Sequence, residues 1–134
     1  MTKSCWDTDP PGHTFAASDL FLDIKDMIKL GQIYFGKDAF ERHRYLSEDW
    51  VVATTQNHVA SDVINPTGEA ADEHCGYGYY IWMNSVPGTY RAYGRERQFV
   101  IVLPERDVVI AVQTMHHDVQ EILDLVWETI LPQL

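Results

Sequence analysis

Two apolar runs near the C-terminus constrain the fold more than any other part of the sequence. Gln98–Leu103 reads QFVIVL and Val108–Thr114 reads VVIAVQT, and both are rich in the β-branched residues typical of strands. The connection between them, Pro104-Glu105-Arg106-Asp107, is too short for a parallel crossover. The two runs are therefore predicted to be neighbouring antiparallel strands. The second run is almost entirely apolar, which predicts burial on both faces.

A further stretch of β character precedes this pair. Tyr77–Asn84 is aromatic and apolar, and Val86-Pro87-Gly88 resembles a turn. Thr89–Tyr93 resumes the strand pattern, is interrupted at Gly94 and continues as Gln98–Leu103. The region therefore predicts three consecutive strands joined by short turns, which form an antiparallel sheet.

Helical patterns flank the sheet on both sides. The first predicted helix runs from about Asp19 to Phe35, with Ser18 or Asp19 as its N-cap and Gly36 as its stop. Its apolar stripe consists of Leu20, Ile24, Met27, Ile28, Gly31 and Phe35. A second, shorter helix is predicted over Glu48–Gln56, capped by Ser47.

The C-terminal segment predicts a last helix. Asp118 and Glu121 have the spacing of a capping box, and Pro132 ends the pattern. The apolar stripe consists of Val119, Ile122, Leu123, Val126 and Ile130. Helices followed by a run of strands predict an α+β fold: two N-terminal helices, a long loop, a three-stranded antiparallel sheet and a C-terminal helix. The 134 residues form one predicted domain, with helices in 1–75 and the sheet and terminal helix in 76–134.

The charge of the chain argues against two classes of partner. The sequence has 20 acidic and 10 basic residues, a formal net charge of −10, and no Lys/Arg cluster that could follow a phosphate backbone. Nucleic acids and anionic membrane surfaces are therefore not expected to bind. No apolar stretch approaches the roughly 20 residues that a membrane-spanning helix needs, so no membrane span is predicted.

The cysteines and histidines form no recognisable metal-binding pattern. Cys5 and Cys75 lie far apart in sequence, without a C-x-x-C pair; free thiols are the favoured interpretation, with a single disulfide bridge between them as the alternative. His116 and His117 would need a third ligand from a distant loop, such as His74 or Cys75. We therefore predict no metal site and no cofactor, and we interpret His116 and His117 as exposed turn residues.

Several catalytic motifs are absent from the sequence. It contains no Gly-rich phosphate loop, no H-E-x-x-H and no G-x-S-x-G. No serine lies three residues before a lysine, and no Tyr-x-Asn triplet occurs. The aromatic run Tyr77, Tyr79, Tyr80 and Trp82 could line a binding groove, although alternating aromatic residues in a strand more often pack on both sides.

Five segments, in order along residues 9–134, resemble the serine β-lactamase-related, penicillin-binding-protein-like hydrolases of class C type. Leu20 to Tyr34 is similar to the "GLYLTARDMAKLGQLYL" helix, and Leu46-Ser47-Glu48-Asp49-Trp50-Val51 to the "LSEDWV" segment. Gly76 to Trp82, GYGYYIW, resembles a "GYGYGWW"-type strand. Tyr90 to Asp107 resembles a strand bearing "Gly-x-x-Gly-Gln" and the following "I-V-x-P-E-x-D" turn. Ile122 to Pro132 fits the terminal helix.

The resemblance implies the C-terminal portion of a hydrolase that acts on an ester, amide or β-lactam through an acyl-serine. The family's S-x-x-K and Tyr-x-Asn elements would precede residue 1, so no complete catalytic site is expected in this chain. The third family motif should fall near Ala92, Tyr93 and Gly94, with the Arg95 N–H in the oxyanion hole. Ala92, Tyr93 and Gln98 are the implied contacts to a small acyl substrate.

The sequence departs from the family pattern beside this motif. The family's second glycine, before the glutamine, is Arg97 here, and residues 94–97 could equally be a bulge or kink in a strand. Two interpretations therefore stay open: a part of a serine hydrolase, or a stand-alone, non-catalytic module for binding or dimerisation. Both predict self-association through an exposed sheet edge.

Overall fold

The described part of the chain forms helices and two separate sheets. The computed structural model describes residues 4–15, 18–35, 43–60, 71–95 and 97–134. Within these ranges it contains three α-helices, a two-stranded sheet and a four-stranded sheet, both antiparallel. The α+β class is therefore confirmed. The predicted arrangement, two N-terminal helices followed by one three-stranded sheet and a helix, is wrong.

A small sheet, rather than a helix, is the first regular structure. Strand β1 (Cys5–Trp6) pairs with β2 (Leu20–Phe21), with Cys5 opposite Phe21. Asp19, one of the two predicted helix caps, has a φ of +63°, which is left-handed rather than the extended conformation of an N-cap. The predicted start of the first helix is wrong because Leu20 and Phe21 pair with a strand distant in sequence.

Helix α1 (Ile24–Ile33) begins where a side chain can cap it. The Asp23 carboxylate accepts hydrogen bonds from the backbone N–H groups of Lys25, at 2.8 Å, and Asp26, at 3.0 Å. These bonds satisfy donors that have no partner inside the helix. Tyr34 is the C-cap, so the helix ends before the predicted stop at Gly36, which lies outside the described residues.

Helix α2 (Glu48–Thr54) confirms its predicted cap. The Ser47 hydroxyl accepts a hydrogen bond from the Trp50 N–H at 3.2 Å, and Glu48 and Asp49 lie in the positive first turn. The helix buries Val51 and Thr54, whereas Trp50 is exposed. A 3-10 turn (Ala71–Glu73) follows further along the chain and buries Asp72.

The large sheet has the strand order β3-β4-β5-β6. Its strands are β3 (Trp82–Met83), β4 (Tyr90–Gly94), β5 (Gln98–Leu103) and β6 (Val108–Gln113). The interruption predicted at Gly94 is a hairpin, since β4 and β5 are antiparallel neighbours with Gly94 opposite Gln98. The segment predicted as one interrupted strand, residues 89–103, therefore forms two strands, β4 and β5. For this reason the predicted sheet had three strands instead of four.

Strand β5 is central and β6 is an edge. Phe99 to Leu103 are buried on both faces of β5, whereas Val108 to Val112 of β6 are only half-buried. Leu103 lies opposite Val108, and the predicted antiparallel pairing of these two strands is confirmed. The prediction that the second apolar run is buried on both faces is wrong, because β6 has a strand neighbour on one side only among the described residues.

Helices cover both faces of the large sheet. Helix α3 (Val119–Leu125) continues through a π-helical turn (Val126–Ile130), and its Asp118 cap accepts the Glu121 N–H at 3.1 Å, as the capping-box spacing predicted. One core joins the sheet to α3: Phe99, Ile101, Leu103, Leu123 and Val126. The other joins it to α1: Met27, Ile81, Tyr90, Val100 and Val102. No helix in the described ranges is long and apolar enough to cross a membrane.

Candidate functional site at the open end of strand β4

The residues singled out from the sequence lie together at one end of β4. Strand β3 pairs only with Tyr90 and Arg91, so Ala92, Tyr93 and Gly94 have no strand neighbour on that side within the described ranges. Backbone N–H and C=O groups along an open strand edge can bond an extended ligand. The structure therefore brings the three predicted motif residues together at an open edge.

The Ala92 and Tyr93 side chains are used in packing. Tyr93 stacks on its cross-strand partner Phe99, with ring centroids 5.0 Å apart and an interplanar angle of 16°. Ala92 faces the other side of the sheet and packs against the core that includes Ile81 and Val100. A ligand at this edge would therefore contact mainly the backbone N–H and C=O groups of these two residues.

Gly94 makes room for a neighbouring side chain. A methyl group at the Gly94 Cα would lie 2.5 Å from the Gln98 Cδ and 2.9 Å from its Cγ. The Gln98 side chain thus lies directly over Gly94, its cross-strand partner. Because Gln98 is exposed and its amide is the flexible end of the side chain, it could move aside at little cost, so this packing does not by itself require glycine at position 94.

The loop after β4 contains a strained residue. The Arg97 N–H donates to the Gly94 carbonyl at 3.0 Å, which closes a turn, and Arg97 has a φ of +65°. Left-handed backbone of this kind favours glycine, and three-residue hairpin loops commonly carry it at this position. The Arg97 Nη1 donates to the Arg95 carbonyl at 2.9 Å, while its Nε is buried without a partner. The Arg95 side chain is exposed.

A second cluster of polar groups lies on the α3 side of the sheet, and the sequence patterns missed it. Asp72 and Arg91 are 0% and 1% exposed, and the Arg91 Nη1 lies 3.9 Å from the Asp72 Oδ1. The Asp72 Oδ1 also accepts the Ser85 N–H at 2.7 Å. Its Oδ2 accepts bonds from Gln120 Nε2 at 2.8 Å, Trp127 Nε1 at 3.1 Å and Ser85 Oγ at 3.1 Å.

Arg91 holds the opposite side of this buried network. Its Nη1 donates to the Asn84 Oδ1 at 2.6 Å and to the Met83 carbonyl at 2.9 Å. Its Nη2 donates to the Asp72 carbonyl at 3.2 Å, and its Nε has no hydrogen-bond partner. The network joins the 3-10 turn, the β3–β4 connection and α3 because each contributes a partner to the same ion pair.

The ionisation of Asp72 follows from these contacts. Burial by itself raises the pKa of the carboxyl, but hydrogen bonds from Gln120, Ser85 and Trp127 and the charge of Arg91 outweigh it and lower the pKa. For Arg91, burial lowers the pKa, and the charge of Asp72 opposes that shift. The Asp72 carboxylate thus already accepts hydrogen bonds from Ser85, Gln120 and Trp127. This arrangement suits a structural carboxylate rather than a catalytic base.

The one local signal for this network is the position of Arg91. It alternates with Tyr90 and Ala92 along β4 and shares the face of Tyr93 and Phe99 that packs under α3. A charged residue on a core face needs a buried partner. Nothing near Asp72 in the sequence identifies it as that partner.

The aromatic run divides into half-buried members, Tyr77 and Trp82, and exposed members, Tyr79 and Tyr80. Tyr77 and Trp82 pack edge to face, with ring centroids 4.7 Å apart. Tyr79 stacks on His58 at 4.4 Å and lies 6.0 Å from Trp50. Tyr80 is 78% exposed at the tip of the turn.

The histidines and cysteines have ordinary surroundings. The His116 Nε2 lies 2.6 Å from the Glu121 carboxylate on the surface, and Cys5 and Cys75 are free thiols. Burial raises the pKa of the Cys75 thiol, which disfavours the thiolate. Among the described residues, no group of three or more His, Cys, Asp or Glu side chains is arranged to hold a metal ion.

Comparisons of the sequence with known protein families and with curated proteins identify no relative. No model of a known protein family matches the chain, and no curated protein matches it. The hydrolase family suggested by the sequence segments therefore stays a prediction.

Proposed function

We propose that this chain is the C-terminal part of a β-lactamase-related serine hydrolase and that it is not catalytic by itself. The whole enzyme would hydrolyse an ester, amide or β-lactam through an acyl-serine. In it, the open end of β4 would bind the acyl substrate along its main chain, and the Arg95 N–H would stabilise the oxyanion.

The open edge of Ala92–Gly94 supports this role most directly. An edge strand offers a row of backbone donors and acceptors, and the substrate of an acyl-transfer enzyme needs a donor at its carbonyl oxygen. Helix α1 also packs on the sheet where the family resemblance expects the end of a helical region.

The absence of catalysis follows from the chemistry of an acyl-serine. A serine hydroxyl is a weak nucleophile until a base within hydrogen-bond reach takes its proton. In the described part of the chain, the Ser85 hydroxyl donates to Asp72 and the Ser18 hydroxyl donates to Asp19. The Asp19 carboxylate is exposed at the surface, and the Asp72 carboxylate is the ion-pair partner of Arg91. Asp72 is buried at 0% exposure, so Ser85 lies beside a salt bridge rather than beside a free base.

Labelling with a fluorophosphonate probe, measured by intact mass, tests the absence of catalysis. We expect no adduct on the native chain. A stoichiometric adduct would contradict the proposal, and peptide mapping would identify the activated residue among the five serines, Ser4, Ser18, Ser47, Ser61 and Ser85. Heat-denatured protein serves as the control for non-specific labelling.

The DNA directly upstream of the coding segment tests the family assignment. We expect an in-frame sequence that encodes S-x-x-K and, after it, Tyr-x-Asn. An in-frame stop codon shortly before the segment would exclude the proposal. Co-expression of the upstream part with this chain should then produce an adduct on the serine of S-x-x-K.

One edge of β6 has no strand neighbour within the described ranges, and this favours a second candidate, a non-catalytic binding or dimerisation module. An open, apolar strand edge promotes association with another strand. Under this candidate the chain self-associates by itself and has no catalytic parent. A stop codon upstream together with a stable dimer in light scattering would support it, and a strict monomer at micromolar concentration would oppose it.

A further inference from the structure

The hairpin loop after β4 holds its first residue, Arg95, from two sides. The Arg97 N–H donates to the Gly94 carbonyl at 3.0 Å, and the Arg97 Nη1 donates to the Arg95 carbonyl at 2.9 Å. The first bond holds the peptide plane before the Arg95 Cα, and the second holds the plane after it. Because each peptide group is planar, the two bonds together restrict both backbone angles of Arg95.

The first of these planes gives the Arg95 N–H its direction. The described part of the chain contains no cis peptide bond, so the Arg95 N–H points opposite to the Gly94 carbonyl of the same plane. That carbonyl faces Arg97, the residue before β5. The N–H therefore points away from β5, to the side on which Ala92–Gly94 have no strand neighbour within the described ranges.

The Arg95 N–H is available to a ligand. Among the described residues it donates to no backbone or side-chain acceptor, and Arg95 is exposed. A donor that already has a fixed direction needs little reorganisation when negative charge develops on a ligand oxygen. This is the property that an oxyanion donor requires.

Arg97 occupies its position at an energetic cost. Its φ of +65° is left-handed, and its Nε is buried without a hydrogen-bond partner in the described part of the chain. Glycine would avoid both costs, since it has neither a Cβ nor a guanidinium. Strained backbone concentrates at functional sites, and the hydrogen bond that the Arg97 side chain makes within the described ranges is the one to the Arg95 carbonyl.

We infer that Arg97 is a positioning residue, which holds the Arg95 N–H in the direction of a ligand oxygen at the open end of β4. Arg97 acts through the two peptide planes that meet at Arg95 and need not contact the ligand. The choice of an acyl compound as the ligand rests on the proposed function. The dependence of the Arg95 N–H on the Arg97 side chain does not.

Two variants of Arg97 separate its hydrogen bond from its backbone conformation. Methionine and lysine both have a Cβ and an unbranched stem, so both keep the cost of the left-handed φ, but only lysine retains a donor for the Arg95 carbonyl. Backbone ¹⁵N relaxation gives the order parameters of the N–H groups in the two planes that meet at Arg95. We expect about 0.85 in the native chain, a fall towards about 0.6 in Arg97→Met, and values near native in Arg97→Lys.

Arg95→Met is the matched control. The Arg95 side chain is exposed, and this variant keeps the backbone N–H at position 95 and the whole of Arg97, so the order parameters should not change. Native-like order parameters in Arg97→Met would overturn the positioning role, and so would a loss of order that Arg97→Lys does not restore. If Arg97→Met does not fold, Arg97→Asn takes its place, since asparagine tolerates a left-handed φ but is too short to replace the guanidinium.

A second measurement connects the order of this donor to the proposed chemistry. In the enzyme completed by co-expression of the upstream part, Arg97→Met should slow formation of the fluorophosphonate adduct about tenfold, less than the loss of about 100-fold or more when an oxyanion donor is removed. No adduct even with the native chain would contradict the proposed function, and the order parameters would still decide the role of Arg97. An unchanged rate despite lost order would contradict the positioning role alone.

Discussion

The carboxylate of Asp72 and the guanidinium of Arg91 form a buried ion pair that joins three separate segments of the fold. The two charged atoms nearest each other lie 3.9 Å apart, and neither side chain has more than 2% of its surface exposed. A buried pair of this kind contributes little compared with an apolar pair of the same size, but the loss of one partner leaves an unpaired buried charge. Removing one member of the pair should therefore cost more folding free energy than the intact pair contributes.

Asp72→Asn should destabilise the chain by about 3 kcal/mol, since Arg91 then keeps a buried charge without a counter-ion. The measurement is urea unfolding followed by tryptophan fluorescence. Asp124→Asn is the matched control, because Asp124 accepts a bond from the same Gln120 Nε2 at 2.7 Å but is exposed. Similar losses in the two variants would show that burial of the carboxylate is not the cause.

Stability should also fall as the pH is lowered through the acid range. The pKa of Asp72 is lower in the folded chain than its ordinary value of 3.8, so the unfolded chain binds the proton more readily. The stabilising contribution is therefore complete above that ordinary value and is lost as the pH falls towards the folded pKa. Unfolding free energies measured from pH 5 to pH 2 should show a smaller slope for Asp72→Asn than for the native chain.

Arg97→Gly should stabilise the chain by about 1 kcal/mol, because glycine adopts a left-handed φ without the steric cost of a Cβ. Thermal unfolding measures the change. Arg95→Gly is the control, since Arg95 in the same loop has no positive φ and gains nothing from the substitution. A loss of stability in Arg97→Gly would mean that the Arg97 side chain contributes more than its backbone strain costs.

Gly31→Ala should destabilise the chain although alanine favours helices. The added methyl group would lie 2.5 Å from one Val109 Cγ and 2.7 Å from a Val100 Cγ, so α1 would have to move away from the sheet. Overpacking costs about 1–3 kcal/mol, against a gain of about 1 kcal/mol in helix propensity. Val109→Ala should relieve the closer of the two clashes and leave the one with Val100, and non-additive free energies in the double variant would verify it.

At two positions where the family pattern has glycine, this chain has a larger residue with a left-handed backbone. Tyr80 stands at the third glycine of the "GYGYGWW" pattern and Arg97 at the glycine before the glutamine, and their φ angles are +61° and +65°. Both positions therefore have the backbone that glycine favours. The agreement concerns turn conformation, and it leaves the family assignment as a proposal.

Local signals in the sequence predicted the parts of the fold that local interactions stabilise. The Ser47 and Asp118 caps act on donors three residues away, and the four-residue connection limits β5 and β6 to antiparallel pairing. The start of α1 was wrong because the apolar spacing of Leu20 and Phe21 suits a helix as well as a strand. Their pairing with Cys5 and Trp6 decided the outcome.

The sequence by itself determined the Ser47 and Asp118 caps, the α+β class and the antiparallel pairing of β5 with β6. The tertiary structure decided that Gly94 begins a hairpin, that β6 is an edge among the described strands, and that Asp72 is the buried partner of Arg91. The physical reason is the range of the interactions. Caps and turns depend on residues within about four positions, whereas burial depends on which distant segment covers a residue.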